Sequence, residues 1–229
     1  LIVVDAQGQN MIVVVPGANG RLAPADIDAA EPLIAGASMV VMQLEVPLET
    51  VEHAARRARA LGKTVVLNPA PARALPASLL GLVDYLIPNE VEAAALAGMP
   101  VDTPQDAMHA GQRLLAAGVK TVLVTLGAQG VVTVDAQGPT HAPAQRVNVV
   151  DTTAAGDTFI GGFCAALLRG DSVARAVDFG QAAAAICVTR PGAQPSIPFA
   201  REVARLQVEP ALGVGEAGGG PLPVPALDA

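Results

Sequence analysis

The chain has 229 residues, of which 52% are hydrophobic and 2% aromatic, and its formal net charge is −7 at pH 7. A chain of this length and apolar content can bury one large core, and the scarcity of aromatic residues leaves Ala, Val, Leu and Ile to build it. The negative charge and the dispersed basic residues argue against nucleic acid as the main partner, because phosphate binding needs clustered Lys and Arg.

The distribution of apolar residues and cysteines indicates the compartment. No apolar run approaches the roughly 20 residues that span a bilayer, and no basic segment precedes a cleavage site, so we expect neither a membrane partner nor export. Cys164 and Cys187 fall in Ala-rich helical patterns, which predicts two small buried side chains rather than a disulfide. These features favour a cytoplasmic protein. Leu1 opens directly in a strand pattern, and we expect that N-terminal sequence is missing.

In chain order, the sequence predicts a β-hairpin over residues 1–5 and 11–15, then a helix from Pro24 to about Gly36. From there short apolar runs alternate with helices. The predicted strands are 39–42, 65–67, 85–87 and 122–124, and the predicted helices are 48–61, 76–80, 90–97, 104–117, 158–169 and 172–188. This alternation predicts an α/β fold whose mostly parallel central sheet is covered by helices on both faces. The unpatterned Gly, Pro, Ala and Val after about Val208 predict a disordered tail.

Polar or glycine-rich segments follow the apolar runs. They are residues 43–45, 68–71, 88–92 and 125–130, and residues 151–159 follow a further apolar run at 147–150. In parallel sheets ligands gather at the carboxyl ends of the strands. We therefore expect these segments to form one binding rim.

The segment 151–159 is the strongest candidate for chemistry. Small residues at Ala154, Ala155 and Gly156 stand where a helix would begin, so that free backbone N–H groups could converge on a phosphate. Asp157 stands in the first turn, where it could accept a proton from a hydroxyl. On local evidence a simple helix cap is an equally good interpretation of Asp157.

A second candidate is the proline-containing loop 189–196, which follows the last predicted helix. Its prolines fix φ and leave carbonyl groups free. Carbonyl and hydroxyl oxygens of this kind suit a monovalent cation.

Several motifs occur in the order of a known family. They are Asn89-Glu90-Val91-Glu92, Thr125-Leu126-Gly127-Ala128-Gln129-Gly130 and Asp151-Thr152-Thr153-Ala154-Ala155-Gly156-Asp157-Thr158-Phe159, supported by residues 42–45, 67–73 and 188–196. Together they resemble the ribokinase-like (PfkB) carbohydrate kinases, from residue 1 to about residue 201. The resemblance implies that family's three-layer α/β fold, with residues 1–207 as the kinase domain, residues 1–19 as a hairpin from a small β lid, and 208–229 as a tail.

The resemblance also implies an activity, the transfer of the γ-phosphoryl group of ATP to a sugar hydroxyl. The expected acceptor is O5 of D-ribose, which gives ribose 5-phosphate. A related sugar or nucleoside kinase is one alternative, and a nucleotide-binding fragment without catalysis is another. Intact family members are expected to dimerise through the lid, a contact that loses its partners here because the earlier lid strands have no counterpart.

Individual roles carry over by position. Asp157 matches the general base, which also contacts the substrate; the backbone of Ala154, Ala155 and Gly156 matches the anion hole; and Glu45 matches a sugar contact. The implied ATP contacts are Asn89, Thr125, Leu126, Gly127, Ala128, Gln129, Gly130, Gly156, Asp157 and Gln181. Glu92 matches an acid that orients Mg²⁺ through water. The implied K⁺ site consists of Asp151, Thr153, Cys187, Arg190, Gly192 and Ser196 and uses mainly carbonyl groups.

Plainer interpretations remain for most of these positions. Glu45 alone would be a solvated loop carboxylate, Glu92 a first-turn acid that complements a helix dipole, and residues 125–130 an ordinary turn. Arg190 could cap a helix. The sequence also departs from the family pattern. The wider family often has Gly at the position of Ala154, and its sugar-binding aspartate and two-glycine sugar loop have no counterpart in this chain.

Overall fold

The structure, a computed structural model, describes residues 2–4, 10–12 and 15–208. The chain forms two compact units, and each is described by itself. The first consists of Leu1–Thr125 and Val132–Thr140, and the second of Leu126–Val131 and His141–Ala229. The predicted tail over 208–229 lies almost entirely outside the described residues.

The strands form two sheets. Strands β1 (Ile2–Val4) and β2 (Asn10–Ile12) pair antiparallel with Val3 opposite Met11, which confirms the predicted hairpin, although its turn lies outside the described residues. The second sheet has the order β3-β4-β5-β6-β7-β8. Its strands are Met39–Met42, Thr64–Leu67, Tyr85–Leu86, Thr121–Thr125, Val131–Asp135 and Gly138–Ala142. Strands β3 to β6 run parallel, as the alternation of strands and helices predicted.

The centre of this sheet is buried on both faces. Val65, Val66 and Leu67 in β4 and Val122, Leu123 and Val124 in β6 are each 0% exposed. Consecutive strand residues point to opposite faces, so an unbroken buried run requires cover on both. The flanking helices of the first unit are α1 (Pro24–Ala29), α2 (Glu31–Gly36), α3 (Leu48–Ala60), α4 (Ala77–Leu80), α5 (Glu90–Ala97) and α6 (Pro104–Ala116). The predicted α/β class is confirmed.

The predicted helix from Pro24 to Gly36 is wrong as one element. Helix α1 ends at Ala29, Ala30 has non-helical angles of φ −87° and ψ 2°, and α2 begins at Glu31. Pro32 explains the break, because in an uninterrupted helix its ring would clash with the carbonyl of Asp28 and it could donate no hydrogen bond there. At the second position of a new helix, Pro32 has no such conflict.

The second unit is centred on two closely packed helices, α7 (Ala155–Leu168) and α8 (Val173–Cys187). Glycine permits this close approach. A Cβ on Gly180 would lie 2.8 Å from the Phe159 carbonyl oxygen, and one on Gly162 would lie 3.1 Å from the Gly180 Cα. The Ser172 hydroxyl accepts a hydrogen bond from the Arg175 N–H at 3.4 Å and so caps α8 as predicted.

Three parts of the chain depart from the sequence-based expectations. Residues 147–150 form no strand, and Val149 and Val150 are 56% and 60% exposed. Along the chain, strands β7 and β8 follow β6 and precede that run, and the apolar pattern predicted neither of them. Helix α9 (Ala200–Val208) was not predicted either. Among the described residues, no helix combines the length and the apolar character that crossing a membrane requires.

Candidate active site

The segments that follow β3 and β4 lie side by side in the first unit. The Leu44 N–H donates to the Ala70 carbonyl at 2.8 Å, and the Asn68 N–H donates to the carbonyl of Met42, the last residue of β3, at 2.9 Å. Glu45 is exposed, and within the described part of the chain its carboxylate forms no hydrogen bond or ion pair. Its carboxylate is therefore available to a ligand.

The segments that follow β5 and β6 also adjoin. Asn89 and Thr125 form an isolated parallel bridge, and the Thr125 N–H donates to the Pro88 carbonyl at 2.9 Å. The Asn68 side-chain amide connects this pair to the end of β4, because it donates to the Ile87 carbonyl at 2.9 Å. The predicted gathering of polar segments at the carboxyl ends of the strands is thus present within the first unit.

Asn89 and Glu92 form a reciprocal cap at the start of α5. The Glu92 N–H donates to Asn89 Oδ1 at 2.9 Å, the Asn89 N–H donates to Glu92 Oε2 at 2.9 Å, and Asn89 Nδ2 donates to Glu92 Oε1 at 3.0 Å. Asn68 Nδ2 adds a contact to Glu92 Oε2 at 3.5 Å. The two residues predicted to serve ATP and Mg²⁺ are therefore hydrogen-bonded to each other, and Glu92 also stands in the first turn of α5, as its plainer interpretation requires.

Glu92 is a buried carboxylate. It is 5% exposed, and this burial raises its pKa. The hydrogen bond from the Asn89 backbone lowers the pKa in part, and the charge of neighbouring Glu90 raises it further. No Lys, Arg or His side chain forms an ion pair with it among the residues that the structure describes. A bound cation would supply the missing compensation. No group of three or more His, Cys, Asp or Glu side chains in that same part of the chain could hold a metal, so a divalent ion would need water and substrate oxygens as further ligands.

The predicted nucleotide loop begins the second unit. A short 3₁₀ helix, Gly127–Gln129, forms its centre, and the Leu126 N–H donates to the Gly130 carbonyl at 2.8 Å. Gly130 has φ +95°, and a Cβ there would lie 2.1 Å from the Ala142 carbonyl oxygen. Only glycine fits at this position, because any side chain would collide with the backbone of residues 142–144.

The start of α7 has the form expected of an anion hole. Ala154 lies in the left-handed region, with φ 60° and ψ 12°, and the Ala155 N–H donates to the Thr152 carbonyl at 3.2 Å. The next two N–H groups, of Gly156 and Asp157, have no hydrogen-bond acceptor among the described residues. The Asp157 side chain is exposed in the first turn of the helix. Free N–H groups at a helix N-terminus favour an anion, and the neighbouring carboxylate is open to a hydroxyl.

Asp151 joins this start of α7 to the loop 189–196. Its Oδ1 accepts the Thr153 N–H at 2.9 Å and its Oδ2 accepts the Gly192 N–H at 2.8 Å. The pKa of Asp151 is held below its usual range by hydrogen bonds. The largest contribution comes from the Thr153 side chain, and smaller ones come from the backbone N–H groups of Thr153 and Gly192. The carboxylate therefore remains ionised.

The residues of the predicted K⁺ site are connected through this network. The Arg190 N–H donates to the Cys187 carbonyl at 3.1 Å, whereas the carbonyl groups of Asp151, Arg190 and Gly192 accept no hydrogen bond from the described residues. The Cys187 thiol, at 3.7 Å, is the one donor that the described residues offer to the Thr153 carbonyl. A group of carbonyl oxygens without N–H donors is a donor set that fits an alkali cation.

Two further predictions concern single side chains. The Arg190 guanidinium pairs with Glu202 of α9 at 2.5 Å, whereas its backbone N–H donates to the Cys187 carbonyl at the end of α8. The Gln181 amide, half-buried on α8, makes no hydrogen bond with described residues. Cys164 and Cys187 are both free and buried, as predicted.

Sequence reasoning assigned no role to two residues that the structure connects to the site. They are Asn68, which contacts Glu92, and Thr158, whose hydroxyl donates to the Cys187 thiol at 3.3 Å. The available signals were an amide directly after a strand and a hydroxyl directly after Asp157.

These features agree with the family comparison. Residues 1–200 match the pfkB family carbohydrate kinases. The chain belongs to this family of carbohydrate kinases.

Individual relatives are more specific. The chain is 47% identical over 203 residues to a ribokinase of Staphylococcus aureus, covering 88% of this chain and 67% of the relative. It is 41% identical over 198 residues to a deoxyribokinase of Salmonella typhi, covering 86% of this chain and 65% of the relative. The chain spans about two thirds of the length of the curated relatives it matches.

Solved structures support the fold. A ribokinase from Thermotoga maritima has a TM-score of 0.82 at 40% identity, covering 90% of this chain and 68% of that one. A ribokinase from Arabidopsis thaliana, solved in complex with ribose and ATP, has a TM-score of 0.81 at 33% identity, covering 90% of this chain and 67% of that one.

Proposed function

We propose that this chain carries the phosphoryl-transfer machinery of an ATP-dependent kinase that phosphorylates D-ribose at O5 and yields ribose 5-phosphate. The observation that carries the proposal is the start of α7, where unpaired N–H groups adjoin the exposed carboxylate of Asp157. The similarity to ribokinases from several organisms, one of them solved with ribose and ATP, supports the choice of sugar.

Asp157 acts as the general base in this proposal. Its carboxylate accepts the proton of the attacking hydroxyl, while the free backbone N–H groups of Ala154, Gly156 and Asp157 itself stabilise the charge that develops on the phosphoryl oxygens. Such a site accelerates the reaction through positioning and electrostatic stabilisation, since phosphoryl transfer needs little covalent participation by the protein.

Glu92 and Asn89 serve the nucleotide side. Mg²⁺, when bound, neutralises charge on the phosphate oxygens, and Glu92 would hold it through water. Asn89 keeps the Glu92 carboxylate in place, and one hydrogen of its amide remains for ATP because only one is donated to Glu92. Further ATP contacts come from the loop 125–130 and from Gln181, and Glu45 contacts the sugar.

A K⁺ ion orders the anion-hole loop in this proposal. Asp151, Thr153, Cys187, Arg190, Gly192 and Ser196 would hold it, mainly through carbonyl oxygens. The unpaired carbonyl groups of Asp151, Arg190 and Gly192 support this set. The charge of the ion would stabilise the loop that carries Ala154.

Substitution of Asp157 tests the base. Asp157→Asn should lower kcat by about 10²- to 10⁴-fold, as expected for loss of a general base, while the ATP dissociation constant measured by calorimetry stays within about twofold. Asp178→Asn is the matched control, because Asp178 is an exposed carboxylate on α8 that forms no hydrogen bond or ion pair with the described residues. Turnover retained by Asp157→Asn would refute the assignment.

A second candidate is a kinase for a related sugar, which the similarity to a deoxyribokinase favours. Initial rates with ribose, 2-deoxyribose, fructose and adenosine under saturating ATP separate the candidates. A kcat/KM for 2-deoxyribose above that for ribose would overturn the ribose assignment. A chain that binds ATP in calorimetry but binds and phosphorylates none of these acceptors would be a nucleotide-binding fragment.

A further inference from the structure

The Cys187 thiol lies at the centre of a buried group of oxygen atoms. Its Sγ is 3.3 Å from Thr158 Oγ1, 3.1 Å from Ser196 Oγ and 3.7 Å from the Thr153 carbonyl oxygen. Cys187 and Ser196 are 0% exposed and Thr158 is 4% exposed. We call these four residues the thiol cluster. A thiol with three oxygen neighbours in a solvent-free site is a polar contact point and more than an apolar filler.

The thiol cluster joins three separate segments of the second unit to the end of α8. Thr153 belongs to the loop before α7, Thr158 to the first turn of α7, and Ser196 to the 3₁₀ helix Gln194–Ser196. One arrangement of protons satisfies the cluster. The Thr158 hydroxyl donates to Sγ, the thiol donates to the Thr153 carbonyl, and the Ser196 hydroxyl donates to the Ala193 carbonyl at 2.6 Å.

We propose that the Cys187 side chain is a positioning residue that fixes the Thr153 carbonyl for cation binding. The inference rests on the proposed K⁺ site, whose residues, Cys187 among them, were expected to act mainly through carbonyl groups. The thiol contacts Thr153 directly, and Asp151 holds the N–H of the same residue. Without the thiol, the Thr153 carbonyl loses the one contact that the described residues give it, and its orientation is no longer fixed.

Cys164 provides a matched control. It is also a buried thiol in the same helix pair, 7% exposed, and burial raises its pKa to about 11. Its sulfur makes no hydrogen bond with the described residues. Removing the Cys164 thiol therefore changes packing to a similar degree without touching the Thr153 carbonyl.

The test measures the melting temperature of the chain as KCl replaces tetramethylammonium chloride at constant ionic strength, without nucleotide or sugar. A cation that binds the folded state raises the melting temperature in a saturable way. Relative to wild type, Cys187→Ala should raise the half-saturating K⁺ concentration by about three- to tenfold, the loss expected from one hydrogen bond. Cys187→Ser should lie closer to wild type, and Cys164→Ala should stay within about twofold.

Each outcome decides the question. A wild-type K⁺ response that Cys187→Ala leaves unchanged, or that Cys164→Ala shifts equally, would overturn the role of the thiol and leave the proposed K⁺ site intact. A wild-type chain that does not respond to K⁺ would overturn both. If Cys187→Ala does not fold, Cys187→Val takes its place, because it also removes the S–H donor to the Thr153 carbonyl and fills the space that the thiol leaves. An unchanged half-saturation in that variant would likewise count against the inference.

Discussion

Ala154 allows a sharp test of the local geometry at the proposed anion hole. It is the one residue other than glycine with a positive φ among those described, at φ 60° and ψ 12°. In this region the Cβ of an L-residue approaches the following carbonyl oxygen, which costs roughly 1–2 kcal/mol. Glycine has no Cβ, so Ala154→Gly should remove that cost.

The unfolded chain opposes part of this gain. A glycine gives the unfolded state more conformational freedom, which lowers the stability of the folded state by about 0.4–1 kcal/mol. The net expectation for Ala154→Gly is therefore a gain of about 0.5–1 kcal/mol in the free energy of unfolding. The adjacent Ala155→Gly is the control. Ala155 begins α7 with helical geometry, so there the substitution should cost about 0.5–1 kcal/mol.

Urea denaturation followed by far-UV circular dichroism measures both variants against wild type, with the m-value checked for constancy. The signature is a change of opposite sign at two neighbouring alanines. A destabilised Ala154→Gly, or two variants that shift in the same direction, would show that residue 154 is not held in the left-handed region.

Three further predictions concern packing and charge. Gly180→Ala should destabilise the chain by about 1–3 kcal/mol because its Cβ would lie 2.8 Å from a backbone oxygen. The control Gly161→Ala, whose Cβ would meet nothing within 4 Å, should raise the free energy of unfolding by about 0.5–1 kcal/mol. Equal effects in urea denaturation would contradict the close helix contact. Burial raises the pKa of Glu92 from its usual 4.5, so the folded state binds the carboxyl proton more tightly than the unfolded chain does. Wild type should therefore lose stability relative to Glu92→Gln as the pH rises through and above 4.5. Parallel stability profiles between pH 4 and 8 would refute this. Asp84→Asn should cost about 1–3 kcal/mol in the same denaturation assay, because the Asp84 carboxylate accepts hydrogen bonds from a backbone N–H and two basic side chains; wild-type stability would argue against these contacts.

The parts of the fold that sequence predicted well carry local signals. Helix α5 was predicted with its observed bounds, because Asn89 caps its start and Gly98, with φ 64°, ends it. The start of α8 at Ser172 was also predicted from a local signal, its capping hydroxyl. These features depend on residues within one or two turns of each other, so the sequence window contains the whole interaction.

What the sequence missed depends on context outside the window. Strand β8 has the sequence Gly-Pro-Thr-His-Ala, which shows no apolar alternation, and its pairing with a neighbouring strand determines its conformation. Val149 and Val150 belong to an apolar run like those of the predicted strands, although both side chains are exposed. The contact of Asp151 with Gly192 spans 41 residues, and no local pattern encodes it; only the family resemblance placed these two residues together.

Asn89 combines two duties in one amide group. Its Oδ1 accepts the Glu92 N–H at the start of α5, and its Nδ2, with the backbone N–H of the same residue, donates to the Glu92 carboxylate. Under the proposed function, evolutionary change at this position would act on folding and on nucleotide chemistry at once, so that a substitution neutral for one trait would still be exposed to selection through the other. Sequence drift across the family should accordingly be slower at Asn89 than at Ser172, where capping is the single observed duty.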